Sequence, residues 1–233
     1  MFGFGHRSPE THDEFEFLRR QMVERQIRAR GICQERVLAA MASVPRHCFV
    51  PLDRIADAYA DVPLPIGERQ TISQPFMVAA MADALQLNGR ERVLEIGAGS
   101  GYQAAVLSLL AREVIAIESR PQLASNARER LARLGFANVR VECGDGSLGW
   151  QAAAPYDAII VSCAAPSVPQ PLLDQLVEAG RLVVPVGDAE SQQVIRLTRR
   201  GNESLREGLY HCRFVPLVGR HGWPQILEKV AGE

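Results

Sequence analysis

The sequence predicts an α/β fold with a mostly parallel β-sheet, helices on both faces of the sheet, and an antiparallel hairpin at its end. Short apolar, β-branched runs alternate with amphipathic helical patterns from residue 92 to residue 186, which is typical of parallel strands joined by crossover helices. Two long segments, 193–198 and 205–215, then flank the pair Gly201-Asn202, which favours a tight turn. The last part of the sheet is therefore expected to be a hairpin.

The composition is that of one globular domain. The chain has 233 residues, of which 47% are hydrophobic and 23% charged. We expect a single domain over residues 1–233, in which residues 1–90 form helices and a loop on the substrate side and residues 91–233 form the core with the sheet. The formal net charge of −1 argues against nucleic acid or a membrane surface as a partner.

The first 90 residues predict helices separated by a long loop. Residues 1–13 are polar and expected to be frayed, whereas residues 15–30 form an amphipathic helix that ends at Gly31. A short helix over 34–43 follows. The stretch 46–70 contains three prolines and is expected to be mostly extended or looped, and a loop of this length is usually functional.

A third helix is predicted over residues 76–87. Pro75 lies in its first turn, where the missing N–H of proline has no cost. This places Ser73 at or beside the N-cap. The start of such a helix presents N–H groups that can bind an anion.

A glycine-rich loop joins the first strand of the core to its helix, and this unit opens a Rossmann-like nucleotide-binding domain. The loop has glycines at positions 97, 99 and 101, so Gly97, Gly99 and Gly101 let backbone approach a ligand closely. Tyr102 stands where a dinucleotide fingerprint requires a small residue. The loop therefore disfavours NAD and favours a ligand without a pyrophosphate, such as S-adenosylmethionine.

Acidic residues lie in or after three of the predicted strands. Glu118 ends the second strand and is expected to accept hydrogen bonds from both ribose hydroxyls, although capping of the helix that begins near Pro121 is the alternative. Asp145, followed by Gly146, comes after the third strand and is expected to accept from an adenine amino group. A Gly-Asp-Gly run is by itself more often a plain turn. Glu95, inside the first strand, is expected to fix the glycine loop through backbone hydrogen bonds.

The cysteines and histidines predict neither a metal site nor a disulfide framework. The five cysteines are an odd number without close pairs, and the five histidines are never paired at helical ligand spacing. No signal peptide or membrane-spanning run is apparent. These observations favour a reducing, cytoplasmic location.

Several runs together resemble the protein-L-isoaspartate (D-aspartate) O-methyltransferase family, from about residue 22 to residue 223. They are Val44-Pro45-Arg46-His47, Pro63-Leu64-Pro65-Ile66-Gly67, Gln70-Thr71-Ile72-Ser73-Gln74-Pro75, Leu94-Glu95-Ile96-Gly97-Ala98-Gly99-Ser100-Gly101-Tyr102, Gly144-Asp145-Gly146 and Phe214-Val215-Pro216-Leu217. The glycine run is shared by many methyltransferases, whereas the run around Ser73 is far more specific. One departure is Ser162-Cys163, where family members commonly have threonine and alanine; the role of Cys163 is left open.

The resemblance implies a protein-repair enzyme with a class I S-adenosylmethionine-dependent methyltransferase fold whose final strands are rearranged. Such an enzyme transfers a methyl group from S-adenosylmethionine to the free α-carboxylate of L-isoaspartyl residues in damaged proteins and peptides. Position alone favours Ser73 as an N-cap, but the resemblance implies that its hydroxyl orients the substrate carboxylate. Thr71 and Ile72 are expected to line the methyl-donor end. His47 and Trp223 are interpreted as structural.

Other activities stay open at this point. The same residues would suit a methyltransferase for another carboxylate or small molecule, or a module that binds S-adenosylmethionine or isoaspartyl peptides without turnover. A nucleic-acid amino-methyltransferase usually has Asn/Asp-Pro-Pro-aromatic after the fourth strand, which residues 161–166 do not provide. A cytosine-C5 enzyme needs a Pro-Cys pair, which is absent from the sequence. An NAD-dependent oxidoreductase is opposed by Tyr102.

Overall fold

The structure, a computed structural model, describes residues 12–224. The prediction of a frayed start over residues 1–13 falls almost wholly outside the described residues. The helices are α1 (His12–Met22), α2 (Glu35–Ser43), α3 (Pro75–Ala84), α4 (Tyr102–Ser108), α5 (Pro121–Arg133) and α6 (Gln170–Asp174). The strands are β1 (Leu64–Gly67), β2 (Gln70–Ile72), β3 (Arg92–Ile96), β4 (Glu113–Glu118), β5 (Val139–Cys143), β6 (Tyr156–Val161), β7 (Leu176–Gly187), β8 (Gln192–Arg200) and β9 (Glu203–Cys212).

Seven strands form one sheet in the order β5-β4-β3-β6-β7-β8-β9. Strands β3 to β7 pair in parallel, whereas β8 is antiparallel to both β7 and β9. The predicted parallel sheet and the terminal hairpin are therefore confirmed. The resemblance implied a rearranged order for the final strands, and here β7, β8 and β9 follow one another in chain order.

Two apolar cores lie on the two faces of the sheet, because neighbouring strand residues point to opposite sides. Val93 and Val114 face a core that also contains the apolar residues of α2, α3 and α4. Leu94 and Ile115 face a second core, to which α6 contributes Leu172. Both faces are thus covered by helices, and almost every central-strand residue is apolar as parallel sheets require.

The predicted first helix is one helical run whose geometry changes along its length. α1 continues as a π-helix over Val23–Ile27 and a 3-10 turn over Arg28–Arg30. Gly31 ends the run with a φ of 96°, a left-handed conformation that glycine adopts without strain. The predicted end of this helix is confirmed.

The predicted loop over residues 46–70 contains more structure than expected. Two 3-10 helices, Arg46–Phe49 and Leu52–Asp57, lie in its first half, and β1 and β2 form a hairpin at its end. The prediction of a mostly extended segment was therefore wrong in its first half. The prediction failed because prolines stand at the starts of these short helices, where a proline does not interrupt helical hydrogen bonds.

Ser73 lies beside the N-cap of α3, as predicted, and the helix begins two residues after it at Pro75. Gln74 is the N-cap of α3, and its side chain makes no capping hydrogen bond. α3 ends at Ala84, three residues before the predicted position, and no described helix is long and apolar enough to span a bilayer. All five cysteines are free thiols.

Candidate active site

Three adjoining cavities open at the carboxyl ends of the parallel strands. The glycine-loop cavity is lined by the loop after β3, by Glu118 and by residues 215–218. The α3 cavity is lined by Ser73, the start of α3 and residues 210–215. A connecting cavity lies between them and contains Glu95 and Ile72. Thr71 and Ser162 line all three cavities, so the cavities meet at these two residues.

The predicted glycines leave room for a ligand at the end of β3. Gly97, Gly99 and Gly101 all have left-handed φ angles, of 87°, 53° and 88°. A Cβ atom on Gly146 would lie 2.4 Å from Cγ2 of Ile96, so a side chain is excluded there by the strand itself. Gly97, Gly99 and Gly146 therefore keep the floor of the glycine-loop cavity free of side chains, whereas a Cβ on Gly101 would face Leu131 of α5.

Glu118 lies where the sequence predicted, at the end of β4 and facing the glycine loop. Its Oε2 accepts a hydrogen bond of 2.8 Å from the backbone N–H of Gly99, and its Oε1 accepts one of 3.0 Å from that of Arg120. It does not cap α5, whose N-cap is Arg120. Glu118 is only 5% exposed, yet it lines the glycine-loop cavity. It therefore both holds the loop and presents a carboxylate to the cavity.

The predicted role of Glu95 as the anchor of the glycine loop was wrong. Its carboxyl group accepts one long hydrogen bond, 3.5 Å from the Ser162 hydroxyl, and Oε2 has no partner within the described part of the chain. The anchor is Glu118. Glu95 is fully buried, and burial, with a smaller effect of the Glu118 carboxylate, raises the pKa of its side chain well above the ordinary value.

Asp145 follows β5 and ties the end of the described chain to the crevice. Its Oδ1 accepts from the N–H and the hydroxyl of Ser147, at 2.9 and 2.7 Å, and its Oδ2 accepts from the N–H of Arg220 at 2.8 Å. The Ser147 hydroxyl in turn accepts from the N–H of His221. The carboxylate thus has structural partners that local sequence did not indicate, and it lines an open extension of the crevice beside Trp223.

Ser73 is half-buried and lines both the α3 cavity and the connecting cavity. Its hydroxyl makes no hydrogen bond to any residue in the described range. Since the N-cap is Gln74, the alternative of a capping serine has no support in this conformation.

The expectation that the start of α3 offers free N–H groups to an anion was wrong. The N–H of Phe76 donates to Oδ1 of Asp61 at 3.0 Å, and those of Met77 and Val78 donate to the carbonyl of Gln74. Pro75 has no N–H. Asp61 therefore occupies the site that an anion was expected to take, and sequence reasoning missed it because the residue is 15 positions away in a proline-rich stretch.

Sequence reasoning also missed Ser162 and the hairpin tip as parts of the site. Ser162 follows β6, and its N–H donates to the carbonyl of Ile96 at 2.8 Å. The end of a parallel strand next to β3 was a usable signal, because such ends meet at one crevice. The tip of the β1–β2 hairpin reaches across to Arg120, whose guanidinium lies 3.9 Å from the Glu68 carboxylate.

Tyr102 and Cys163 are buried at the site: Tyr102 lines the connecting cavity, and Cys163 lines the glycine-loop cavity. The Tyr102 ring packs edge-on against Phe49, with centroids 5.5 Å apart, under the buried Arg46 guanidinium. Burial raises the pKa of Tyr102 to about 12 and raises that of Cys163 above the ordinary range of a thiol. Both side chains are therefore neutral near pH 7. His47 lines none of the three cavities; its ring stacks on that of Phe15, with the centroids 3.8 Å apart.

The described residues contain no group of three or more His, Cys, Asp or Glu side chains arranged to hold a metal ion. The prediction of a metal-independent site is not tested by this observation, and it stays a prediction.

Comparison with known proteins gives one consistent family. The family model of protein-L-isoaspartate(D-aspartate) O-methyltransferase matches residues 18–222. A protein-L-isoaspartate O-methyltransferase of Geobacter metallireducens is 53% identical over 210 residues, which are 90% of this chain and 97% of that protein. Protein-L-isoaspartate O-methyltransferase 1 of Rhodopseudomonas palustris is 53% identical over 232 residues, or 97% and 94% of the two chains. The similarity therefore includes both the glycine-loop cavity and the α3 cavity.

Solved structures agree with this similarity. A protein-L-isoaspartate O-methyltransferase structure matches with a TM-score of 0.77 and 29% identity, covering 90% of this chain and 68% of that chain. A Plasmodium falciparum structure of the same type, in complex with S-adenosyl-L-homocysteine, matches with a TM-score of 0.73 and 24% identity, covering 86% and 98%. The second likeness concerns the fold alone. Together they confirm the predicted fold class.

Proposed function

Since this chain belongs to the protein-L-isoaspartate(D-aspartate) O-methyltransferase family, we propose that its glycine-loop cavity binds S-adenosylmethionine and its α3 cavity binds the isoaspartyl carboxylate. The chain is an S-adenosylmethionine-dependent enzyme that methylates L-isoaspartyl residues of damaged proteins. The observation that carries the site assignment is that Thr71 and Ser162 line both cavities, while Ser73 lines the α3 cavity and the cavity that connects the two.

The carboxylates of the glycine-loop cavity, of the connecting cavity and of the open extension of the crevice fit S-adenosylmethionine as hydrogen-bond acceptors. When bound, this cofactor supplies a methyl group made electrophilic by a sulfonium centre. Glu95 would accept from the ammonium group, because its buried Oε2 lacks a partner and a buried unpaired carboxyl oxygen is costly. Glu118 would accept from the ribose hydroxyls and Asp145 from the adenine amino group. Gly97, Gly99 and Gly146 would let backbone approach the cofactor, Gly101 would support the loop at the start of α4, and Thr71 and Ile72 would lie at the methyl end.

The role of Ser73 is to orient the substrate, and no general base is needed. A carboxylate is already ionised at neutral pH and is itself the nucleophile. The unpartnered Ser73 hydroxyl would donate to one of its oxygens, which leaves the other directed toward Thr71 and Ser162. In-line alignment of this kind supplies at most roughly 7–11 kcal/mol of the barrier. The Cys163 thiol, neutral and buried, does not compete as a nucleophile.

The remaining expectations follow from this chemistry. No Lewis acid is required, since the nucleophile is anionic and the leaving group is a neutral thioether, so activity should survive exhaustive chelation with EDTA. Isoaspartyl proteins and peptides are sufficient partners, without nucleic acid or a membrane.

Five free thiols support a cytoplasmic location. One apolar core joins residues from both sides of position 90, which supports a single domain over 1–233.

A methyl-transfer assay with radiolabelled S-adenosylmethionine tests the function. An isoaspartyl peptide and its aspartyl twin of the same sequence would be compared, with and without EDTA. We expect label only in the isoaspartyl peptide, as a base-labile ester, and no effect of EDTA. Binding of the peptide without label would favour a non-catalytic module. Labelling of a small carboxylate in preference to the peptide would favour the alternative methyltransferase.

A further inference from the structure

We propose that the α3 cavity selects isoaspartyl residues that have an acidic neighbour in the substrate chain, through two arginines, Arg30 and Arg213, on its outer wall. This inference rests on the proposed function and specifies its substrate class. It concerns the residues beside the isoaspartyl group rather than the group that is methylated.

The first observation is the charge of the cavity wall. Arg30, His211 and Arg213 are among the residues that line the α3 cavity, and none of the lining residues from the described part of the chain is an aspartate or glutamate. Arginine stays cationic at every physiological pH. The wall of this cavity thus presents two arginine side chains and, within residues 12–224, no lining carboxylate at the place where an anionic substrate is expected.

The second observation is that Arg30 is held in place. Its Nη1 donates to Oδ2 of Asp61 at 2.7 Å, and its guanidinium carbon lies 3.4 Å above the centre of the Phe76 ring. Phe76 in turn packs edge-on against Tyr210. Since Asp61 binds one of the guanidinium's five N–H groups, the others remain for a ligand. A fixed guanidinium also loses less conformational entropy when it binds.

The third observation is that Arg213 has no counter-ion among the described residues. It is exposed, it follows directly after β9, and it forms no ion pair with any residue between positions 12 and 224. Arg213 precedes Val215 by two positions along the chain, and Val215 lines both the α3 cavity and the glycine-loop cavity.

The order of residues along the cavity determines what the arginines contact. Thr71, Ser73, Ser162 and Val215 are shared with the adjoining cavities and form the inner end, where methyl transfer is proposed. Arg30 and Arg213 line only the α3 cavity and neither of the adjoining cavities. A substrate with its isoaspartyl group at the inner end therefore places its neighbouring residues toward the arginines. A neighbouring glutamate or aspartate is attracted there, and a neighbouring lysine is repelled.

The test uses isoaspartyl peptides that differ at one position, with Glu, Gln or Lys directly before or directly after the isoaspartyl residue. We expect kcat/KM for the Glu peptide to exceed that for the Gln peptide roughly two- to fivefold at one or both positions, as for a partly exposed ion pair. The Lys peptide should be slower than the Gln peptide. High salt should reduce both differences.

Variants of the two arginines test whether the wall of the α3 cavity causes the preference for an acidic neighbour. Arg213→Gln should bring the Glu-to-Gln ratio toward one, and Arg30→Gln should do so too if a thermal melt shows that it is folded. Arg206→Gln, an exposed arginine within β9 that does not line the cavity, is the matched control and should keep the full ratio. A Glu-to-Gln ratio of one or less at both positions would overturn the inference, as would a ratio that both cavity variants leave intact. Failure to methylate even the Gln peptide would instead overturn the proposed function itself, and this inference with it.

Discussion

The glycine-loop cavity is built mostly from neighbouring strand ends, whereas the α3 cavity is built from side chains that are distant in the chain. At the first, Glu118 binds Gly99 and Arg120 at adjacent ends of the parallel sheet. At the second, the Asp61 carboxylate accepts hydrogen bonds both from Arg30, which precedes it by 31 residues, and from the start of α3. The Phe76 ring at the start of α3 then packs against Tyr210 of β9. Strand topology therefore sets the proposed cofactor side, and side-chain packing sets the proposed substrate side.

This difference predicts how each side responds to mutation. A change on the cofactor side should alter binding of S-adenosylmethionine while the substrate side stays intact. A change on the substrate side should alter turnover or local stability while cofactor affinity stays the same. Four measurements, ordered from the largest expected effect to the smallest, would sharpen or break the contrast.

The largest effect is expected from Glu118→Ala. It removes the anchor of the Gly99 N–H and the proposed acceptor for the ribose, so S-adenosylmethionine should bind about 1.5–3 kcal/mol more weakly, as measured by calorimetry. Glu142→Ala is the matched control, because Glu142 lies on the next strand and pairs with an exposed arginine instead. Unchanged affinity in folded Glu118→Ala would remove this residue from the cofactor site.

Ser73→Ala should slow methyl transfer while cofactor affinity and melting temperature stay close to those of the parent. The lost hydrogen bond acts on the attacking carboxylate, and about 1.5–3 kcal/mol corresponds to roughly ten- to a hundredfold in kcat. Single-turnover rates and thermal melts on the same preparation check this, with Ser125→Ala on the exposed face of α5 as the control. A variant that melts earlier but turns over normally would make Ser73 structural.

Asp61→Ala tests whether the substrate side depends on its long-range contacts. The variant leaves the N–H of Phe76 without its acceptor and Arg30 without its partner. We expect the free energy of unfolding in urea to fall by about 1 kcal/mol, as when a helix cap is lost, and kcat/KM to fall with it. Asp53→Ala removes a nearby acid whose one ion pair within residues 12–224 is with exposed Arg54, and it should leave both quantities unchanged. Equal behaviour of the two variants would contradict the packing interpretation.

The smallest effect concerns the protonation of Glu95. Because the pKa of Glu95 is raised in the folded state, the folded protein holds this proton more strongly than the unfolded chain. The contribution to stability is then present below the ordinary value of 4.5 and is lost as the pH rises through the raised pKa. Glu95→Gln should flatten this decline in pH-dependent unfolding measurements.

Binding of the cofactor ammonium would favour ionised Glu95, so cofactor binding to the parent should release at most one proton. Calorimetry in buffers of different ionisation enthalpy measures this release. Equal proton release by Glu95→Gln and the parent would show that the ammonium does not bind at Glu95.

The cofactor half could be predicted from the sequence to a large extent. The strand–glycine–helix unit, the acid at the end of β4 and the hairpin after Gly201 all depend on local patterns, and parallel strands bring their carboxyl ends together wherever they pair. Even here the pattern misassigned one role. Glu95 and Glu118 are equally acidic in sequence, and only their positions in the folded sheet decide which of them reaches the Gly99 N–H.

The substrate half was identified by its motif, but its construction was decided by tertiary structure. Nothing local indicates that Asp61 binds the start of α3 or that Arg30 lies on the Phe76 ring. Such contacts join residues that are far apart in the chain and that no helical or strand periodicity relates. They form only when the helices and the end of β9 pack together. The sequence by itself thus determined the family, the sheet and the residue types at the crevice. Tertiary packing decided which of those residues are already bonded within the protein and which, like Ser73 and Glu95, still have hydrogen-bonding groups without a partner in the described chain.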